Sequence, residues 1–216
     1  MKSSRISITL ISIFIFGFIF PLFAQKLKPI QLLPPDLSSG KSLMQSLNER
    51  KSSREFSERD LPVQEISNLL WAANGINRPA EGKHTAPSAM NWQDIDIYVL
   101  MKEGVYLYDP KISQLIPVEA GDFRSSAGTQ EFVAKAPVNL IFVSDYTRMK
   151  NAKEESKPNY AASDAAFIAQ NVYLYCASAN LAVVVRASID KEKLSVVLKL
   201  NSSQNIILAQ TVGYPK

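Results

Sequence analysis

The sequence predicts an α+β domain, on three observations. Helical and strand periodicities are interspersed along the chain with no regular strand–helix–strand repeat. Two short strand patterns, 94–100 and 105–108, are joined by Glu103-Gly104 and followed by a third after Asp109-Pro110, which reads as an antiparallel meander. One long helical pattern, 160–179, leads directly into a further strand pattern. With 216 residues, 46% hydrophobic and 20% charged, the chain is of single-domain size with enough apolar material for one core.

The elements follow in order. Lys2 and Arg5 precede an apolar run from Ile6 to Phe20, broken by Pro21 and ending Leu22-Phe23-Ala24-Gln25. This pattern predicts a secretory signal peptide over 1–24; the alternative is a retained membrane anchor over 6–24. No Cys follows the run, which excludes a lipoprotein anchor, and on either reading the folded part is exported, to the periplasm. Residues 25–40 carry Pro29, Pro34 and Pro35 without an apolar period and predict an extended arm. The domain proper is expected over 41–216.

Leu43, Met44 and Leu47 predict a first helix over 42–48. Residues 56–61 predict a turn, and Pro62 the first residue of a second helix whose face is Val63, Ile66, Leu69 and Leu70, stopped by Asn74-Gly75. A loop is expected over 77–89. Ile95, Ile97 and Val99 alternate with polar neighbours, a half-buried strand, and the meander continues through 105–108 and 112–118. Residues 137–144 are dense in apolar side chains and predict a central strand. The Lys- and Glu-rich stretch 149–159 predicts a mobile surface loop. The 160–179 helix is nearly apolar all round, which predicts burial, and Asn180 is suited to a left-handed stop. Strands are expected over 181–186 and 206–212.

Charge and cysteine content exclude several classes. Removing 1–24 leaves 22 cations and 20 acids, a net charge of 22 − 20 = +2, with no support for nucleic-acid binding. The single Cys176 cannot form an internal disulfide and, inside an apolar helical pattern, reads as a small buried hydrophobe. His84 is the only histidine, expected on a surface loop, with no acidic or Cys cluster to build a metal site. No Gly-x-Gly-x-x-Gly, Walker lysine or Gly-x-Ser-x-Gly elbow is present, against a dinucleotide fold, an ATP-driven enzyme or a serine hydrolase.

Two stretches carry recognisable chemistry. Arg50-Lys51-Ser52-Ser53-Arg54-Glu55-Phe56 concentrates three cations and two hydroxyls in five residues. Such a set suits a phosphate, which Arg can grip bidentately, and a solvated basic turn has the same composition. Ala86-Pro87-Ser88-Ala89-Met90-Asn91-Trp92-Gln93 is a turn that can present polar groups to a flat heteroaromatic ring, or serve as a plain loop.

In this order the two stretches resemble the signature of the nitroreductase-like flavoproteins, in particular the branch related to thiazoline or oxazoline oxidases. The likeness spans about 41–216. The first stretch is similar to the family's Arg-Arg-Ser-x-Arg-x-Phe, with Lys51 at the second Arg; the second meets every fixed position of Ala-Pro-Ser-x-x-Asn-x-Gln. The resemblance implies a mostly antiparallel sheet flanked by helices, a homodimer with its active sites at the interface, and bound flavin mononucleotide (FMN). It assigns phosphate and ribityl contacts to Arg50, Lys51 and Ser52, with Arg54 in a structural part of the same stretch. Pro87, Ser88, Ala89, Met90 and Asn91 are assigned to the ring or ribityl chain.

Two later stretches extend it. The helix beginning near Asp164 and the strand Val184-Val185-Arg186-Ala187 look like the family's long helix and the strand whose N–H groups face flavin N5, a donor that would stabilise charge arriving on reduction. Here Asn180-Leu181-Ala182 stands for Gly-Leu-Gly, and the usual Gly near Ala187 is absent. Gly213-Tyr214-Pro215 resembles the family's late Gly-Tyr-Pro, which leaves Lys216 for the phosphate. Tyr160, at the helix start, is the candidate proton donor. The implied activity is two-electron hydride transfer through flavin N5 to or from a small-molecule substrate, with an electron donor that the residues do not specify. The lost glycines also fit a degenerate member that binds flavin, or nothing, without turnover.

Overall fold

The computed structural model describes residues 26–216; the predicted signal peptide or anchor falls outside them. The arm is extended, as expected, but it is docked. Its β1 (Ile30–Gln31) pairs with the later strand Gln114–Ala120 through Ile30↔Leu115, and the Leu32 N–H donates to Ser113 O at 2.9 Å, burying Leu32. α1 (Leu43–Glu49) starts where a Ser-x-x-Gln pair allows a reciprocal cap. The Gln45 N–H donates to Ser42 Oγ at 3.3 Å, and the Ser42 N–H donates to Gln45 Oε1 at 3.2 Å. α2 (Val63–Asn74) has Pro62 as its N-cap, so the helix begins one residue after the expected start.

The predicted 77–89 loop holds a hairpin, β2 (Ile76–Arg78) and β3 (Lys83–His84), turned by Gly82 at φ 62°. Strands of three and two residues are too short to show alternation. His84 is accordingly a buried strand residue and not a surface one: its Nδ1 lies 3.1 Å from Asn74 Oδ1, and burial pushes its pKa down.

The meander is present as β4 (Ile95–Leu100), β5 (Gly104–Asp109) and β6 (Gln114–Ala120). After the short α3 (Glu131–Lys135) comes the central β7 (Val138–Asp145), then α4 (Lys157–Ser178), β8 (Ala182–Arg186), α5 (Lys191–Val197) and β9 (Gln204–Gly213). The seven-stranded sheet runs β1-β6-β5-β4-β7-β9-β8, and every pairing in it is antiparallel.

β4 is not half-buried, because the sheet is covered on both faces. Ile95, Ile97 and Val99 join the core under α2 and α4, with Leu69, Leu70, Ile168 and Val172. Tyr98 and Leu100 point the other way, into a second core with Val143, Leu194, Leu198 and Ile206. α3 and α5 build that second layer, and their five and seven residues are too few for a periodic signal.

α4 begins at Lys157 rather than Tyr160, since Pro158 is tolerated in a first turn that needs no N–H from it. The helix is not buried all round. Ala161, Asp164, Ala165, Ile168, Val172 and Cys176 face inward, while Ala162, Ala166, Phe167 and Gln170 are exposed; alanines give solvent-facing positions an apolar look. Nor is 149–159 simply a surface loop: Met149 is buried, and single helical turns flank it. Asn180 stops α4 at φ 58°, as expected. No helix among the described residues is long and apolar enough to cross a membrane.

β7 carries the most demanding packing. Phe142 is fully buried among side chains from α2, α4 and neighbouring strands. Phe142→Ala should cost about 3–5 kcal/mol in urea unfolding at an unchanged m-value.

Candidate active site

Three of the four motif stretches meet at the β8 edge of the sheet. The 50–54 segment lies along β8, with the Ser53 N–H donating to Val183 O at 2.8 Å. Phe56 bridges to Pro215 and packs on Phe132 with ring centroids 5.3 Å apart, and the Ser57 N–H donates to Tyr214 O at 2.9 Å. The basic stretch and the chain's last residues are thereby side by side. A cavity of about 560 Å³ opens there, lined among others by Lys51, Ser53, Ala182, Val183 and Lys216.

At the centre of this junction is Tyr173 of α4, which the sequence reading did not single out. Its hydroxyl lies 2.7 Å from Ser52 Oγ and accepts the Val185 N–H at 3.0 Å. The Arg50 guanidinium sits 5.3 Å from the centre of its ring. The backbone donor expected to face a ligand is therefore already satisfied by a side chain. The one sequence signal for Tyr173 was its place on a helix leading into β8, and that spacing does not say which way a ring points.

The other predicted residues are placed as follows. Arg186 sends its side chain to the opposite face of the sheet. There it is buried, donating to Ala127 O at 2.8 Å, Thr211 Oγ1 at 2.9 Å and Asn139 Oδ1 at 3.2 Å, with no carboxylate partner among the described residues. Burial lowers its pKa to about 10. Its side chain ties β8 to β7 and β9 and is not available to a cofactor on the Tyr173 side. Ala187 is exposed just past the end of β8. Arg54 is exposed, without a hydrogen bond or ion pair among the described residues, so the structural role expected of it is not seen there. Cys176 is the buried small hydrophobe expected, its thiol pushed up by burial. No His, Cys, Asp and Glu cluster that could hold a metal ion occurs among the described residues.

The fourth stretch is elsewhere. Turn 86–93 carries positive φ at three residues that are not glycine: Met90 (49°), Asn91 (56°) and Gln93 (51°). Such a backbone persists only when its surroundings hold it. The Ala89 N–H donates to both carboxylate oxygens of Asp164, at 3.1 and 3.0 Å. Ser88 Oγ accepts the Gln93 N–H at 2.9 Å, Gln93 Nε2 donates to Gly82 O at 2.8 Å, and Arg148 Nη1 donates to Gln93 O at 3.1 Å. Ser88, expected to meet a ligand, thus uses its oxygen to close its own turn. Pro87, Met90 and Asn91 face solvent. Tyr160 belongs to this end too, with Trp92 edge-on to its ring at 5.2 Å. Asp164 and Tyr173 are nine residues apart on α4, so the two ends of the site are separated by roughly 13 Å along the helix.

Residues 47–214 match the profile described as the nitroreductase family. The chain belongs to the nitroreductase family. A curated protein of Methanocaldococcus jannaschii with a provisional nitroreductase name is 31% identical over 176 residues, covering 77% of this chain and 88% of that protein. A crystal structure from Ralstonia eutropha, with a similarly provisional name, superposes with a TM-score of 0.83 at 42% identity, over 87% of this chain and 90% of that one. The NADPH:FMN oxidoreductase of Vibrio harveyi, complexed with NAD+, shares the fold at 18% identity and a TM-score of 0.62, covering 81% and 69%. The narrower likeness, to the thiazoline and oxazoline oxidase branch, is a distant one: the E. coli microcin synthetase McbBCD complex has the fold at 18% identity and a TM-score of 0.67.

Tyr173→Phe should lose about 1–3 kcal/mol of stability in denaturant unfolding, because it strands the Val185 N–H while keeping the ring.

Proposed function

We propose that the chain is an FMN-dependent oxidoreductase acting as a homodimer, with two-electron transfer between the flavin and a small organic molecule. The observation that carries this reading is that, within a nitroreductase fold, Lys51 and Lys216 line the β8 cavity while Arg50 and Ser52 gather at Tyr173 on the same stretch. The donor set fits FMN. Arg50, Ser52 and the Val185 N–H gather at Tyr173, and Lys51 and Lys216 add cations in the β8 cavity, which Glu49 and Glu55 also line. When bound, FMN supplies the hydride chemistry at N5. The chain's part is to grip the phosphate with Arg50, Lys51 and Lys216 and to orient the ribityl chain through Ser52. The Val185 N–H, held by Tyr173, would meet a flavin acceptor only if the Tyr173 hydroxyl released it.

The exposed surface favours a second copy. Leu43, Met44 and Leu47 give α1 an uncovered apolar face, and Phe167 adds to the bare side of α4. The predicted leader over 1–24 supports an exported enzyme. Nicotinamide cofactors are cytoplasmic, so the electron donor would be another reductant, or the enzyme would run as an oxidase with oxygen.

One observation favours a second reading, a family member without turnover. The Val185 N–H is occupied by Tyr173, and Ala182 stands where the family pattern has glycine. Purified 25–216 separates the two: the redox reading requires flavin absorbance that survives gel filtration, bleaches on reduction and returns in air, whereas a colourless protein that ignores added FMN would leave only the fold. Arg50→Ala should weaken FMN binding about ten- to a hundredfold by fluorescence titration, the value of a charged hydrogen bond to phosphate. In sedimentation, the wild type should run as a dimer and Met44→Glu should shift it toward monomer, since a carboxylate would be buried at the interface.

A further inference from the structure

The sheet comes apart between β4 and β5, and a second cavity opens in the gap. The two strands pair only from Tyr98↔Leu107 to Leu100↔Val105. Beyond that point β4 continues with β7, through Ile97↔Phe142 to Ile95↔Ser144, while β5 continues with β6, through Tyr108↔Leu115 and Asp109↔Gln114. The cavity holds about 440 Å³, with Ile97 on one strand, Leu107 and Tyr108 on the other, and His84, Trp92 and Lys111 around them. It shares no lining residue with the β8 cavity.

Two of these side chains are over nine-tenths buried and keep a polar atom that the chain does not satisfy. Tyr108 is 8% exposed, and its hydroxyl has no hydrogen-bond partner among the described residues. His84 is 9% exposed. Its Nδ1 donates to Asn74 Oδ1 at 3.1 Å, since that oxygen can only accept. The lone pair is thereby left on Nε2, which has no partner among the described residues. Neither free atom is sealed from solvent, so both look into the cavity. Burial pushes the pKa of His84 down, and burial and then Asp109 push that of Tyr108 up, which keeps one a neutral acceptor and the other an O–H donor. At the rim, Arg148 is bound to Asp96 at 2.7 Å, and Asp109 Oδ1 accepts the Lys111 and Ile112 N–H groups at 2.8 and 3.4 Å. The exposed Lys111 ammonium has no acid in ion-pair contact among the described residues.

We propose that the split between β4 and β5 is a binding site for a small hydroxyaromatic acid, a flat ring with a phenol at one end and a carboxylate at the other. The chemistry of the walls selects this class. A neutral acceptor and a neutral donor inside ask for one group that both donates and accepts, which a phenol does. Its O–H donates to His84 Nε2, and its oxygen accepts the Tyr108 O–H. The ring fills the apolar gap between Ile97 and Leu107, beside Trp92. One unpaired cation at the mouth asks for one negative charge, and the carboxylate meets Lys111 there. A ring without the hydroxyl would leave two buried polar atoms unpaired, and a cationic ligand would meet Lys111 as a like charge. Trp92 and Gln93 belong both to this wall and to turn 86–93, so an occupant touches that turn from behind.

The site does not depend on bound flavin. Its probes are 4-hydroxybenzoate, benzoate and 4-hydroxybenzamide, titrated into the purified protein by calorimetry at neutral pH. The wild type should bind 4-hydroxybenzoate one to one. It should hold it about tenfold more tightly than benzoate, which lacks the hydroxyl, or 4-hydroxybenzamide, which lacks the charge. Lys111→Ala should erase the preference over the amide and keep the preference over benzoate; Tyr108→Phe should shrink the second and keep the first. Saturating FMN should leave the affinity for 4-hydroxybenzoate unchanged. The absence of saturable binding overturns the proposal, as do equal affinities for the three probes or preferences that survive both substitutions. Displacement by FMN overturns it too, since the acid would then occupy the flavin site. A protein that binds the acid and ignores FMN would sink the flavin reading and leave this site standing. If Tyr108→Phe does not fold, the wild-type series and Lys111→Ala decide.

Discussion

One face of α4 packed across the sheet is the constraint on which the site depends. Ala161, Ala165, Ile168, Val172 and Cys176 are buried against β4, β7 and α2, and this contact fixes both the azimuth and the register of the helix. The same helix then carries Asp164 to the underside of turn 86–93 and Tyr173 to the β8 edge. Neither polar residue chooses its place; each is delivered by the apolar residues around it. A helix rotated by one position would expose the small residues and pull both side chains off their partners.

The opposite face of the sheet is organised around a charge. Arg186, Asn139 and Thr211 form a buried network across β8, β7 and β9, with the guanidinium also reaching Ala127 O. A buried cation without a carboxylate is tolerated because its donors meet neutral oxygens at good distance. Gly128 belongs to this arrangement, since a Cβ there would lie 2.0 Å from Arg186 Nη1. The second core built by α3, α5 and the 124–127 turn therefore holds β8 in place from behind, while the candidate site uses its front.

Much of the framework was legible in the residues. Leu43–Leu47, the Val63–Leu70 face, the meander with its Gly104 and Pro110 turns, and the dense 138–143 run each carry a local signal that tertiary packing reinforced. What was not legible divides by cause. The β2–β3 hairpin, α3 and α5 are too short for a period. β4 shows alternating polarity, yet lies between two cores because α5 and the 124–127 turn cover the face its pattern assigned to water. His84 looked like a loop residue until β3 gave it a strand and Asn74 gave it a partner.

From the sequence alone came the α+β class, the order of its main strands and helices, the family likeness, and the two stretches able to grip a phosphate and flank a ring. These are properties of residue type and spacing along one chain, and local chemistry is enough to read them. Only the tertiary structure decided that the basic stretch meets β8 through Tyr173, that Arg186 turns away from it, and that Asp164 anchors turn 86–93 through the Ala89 N–H. Those contacts join positions far apart in sequence through the packing of α4 on the sheet, and no periodicity encodes which side chain that packing will bring to which neighbour.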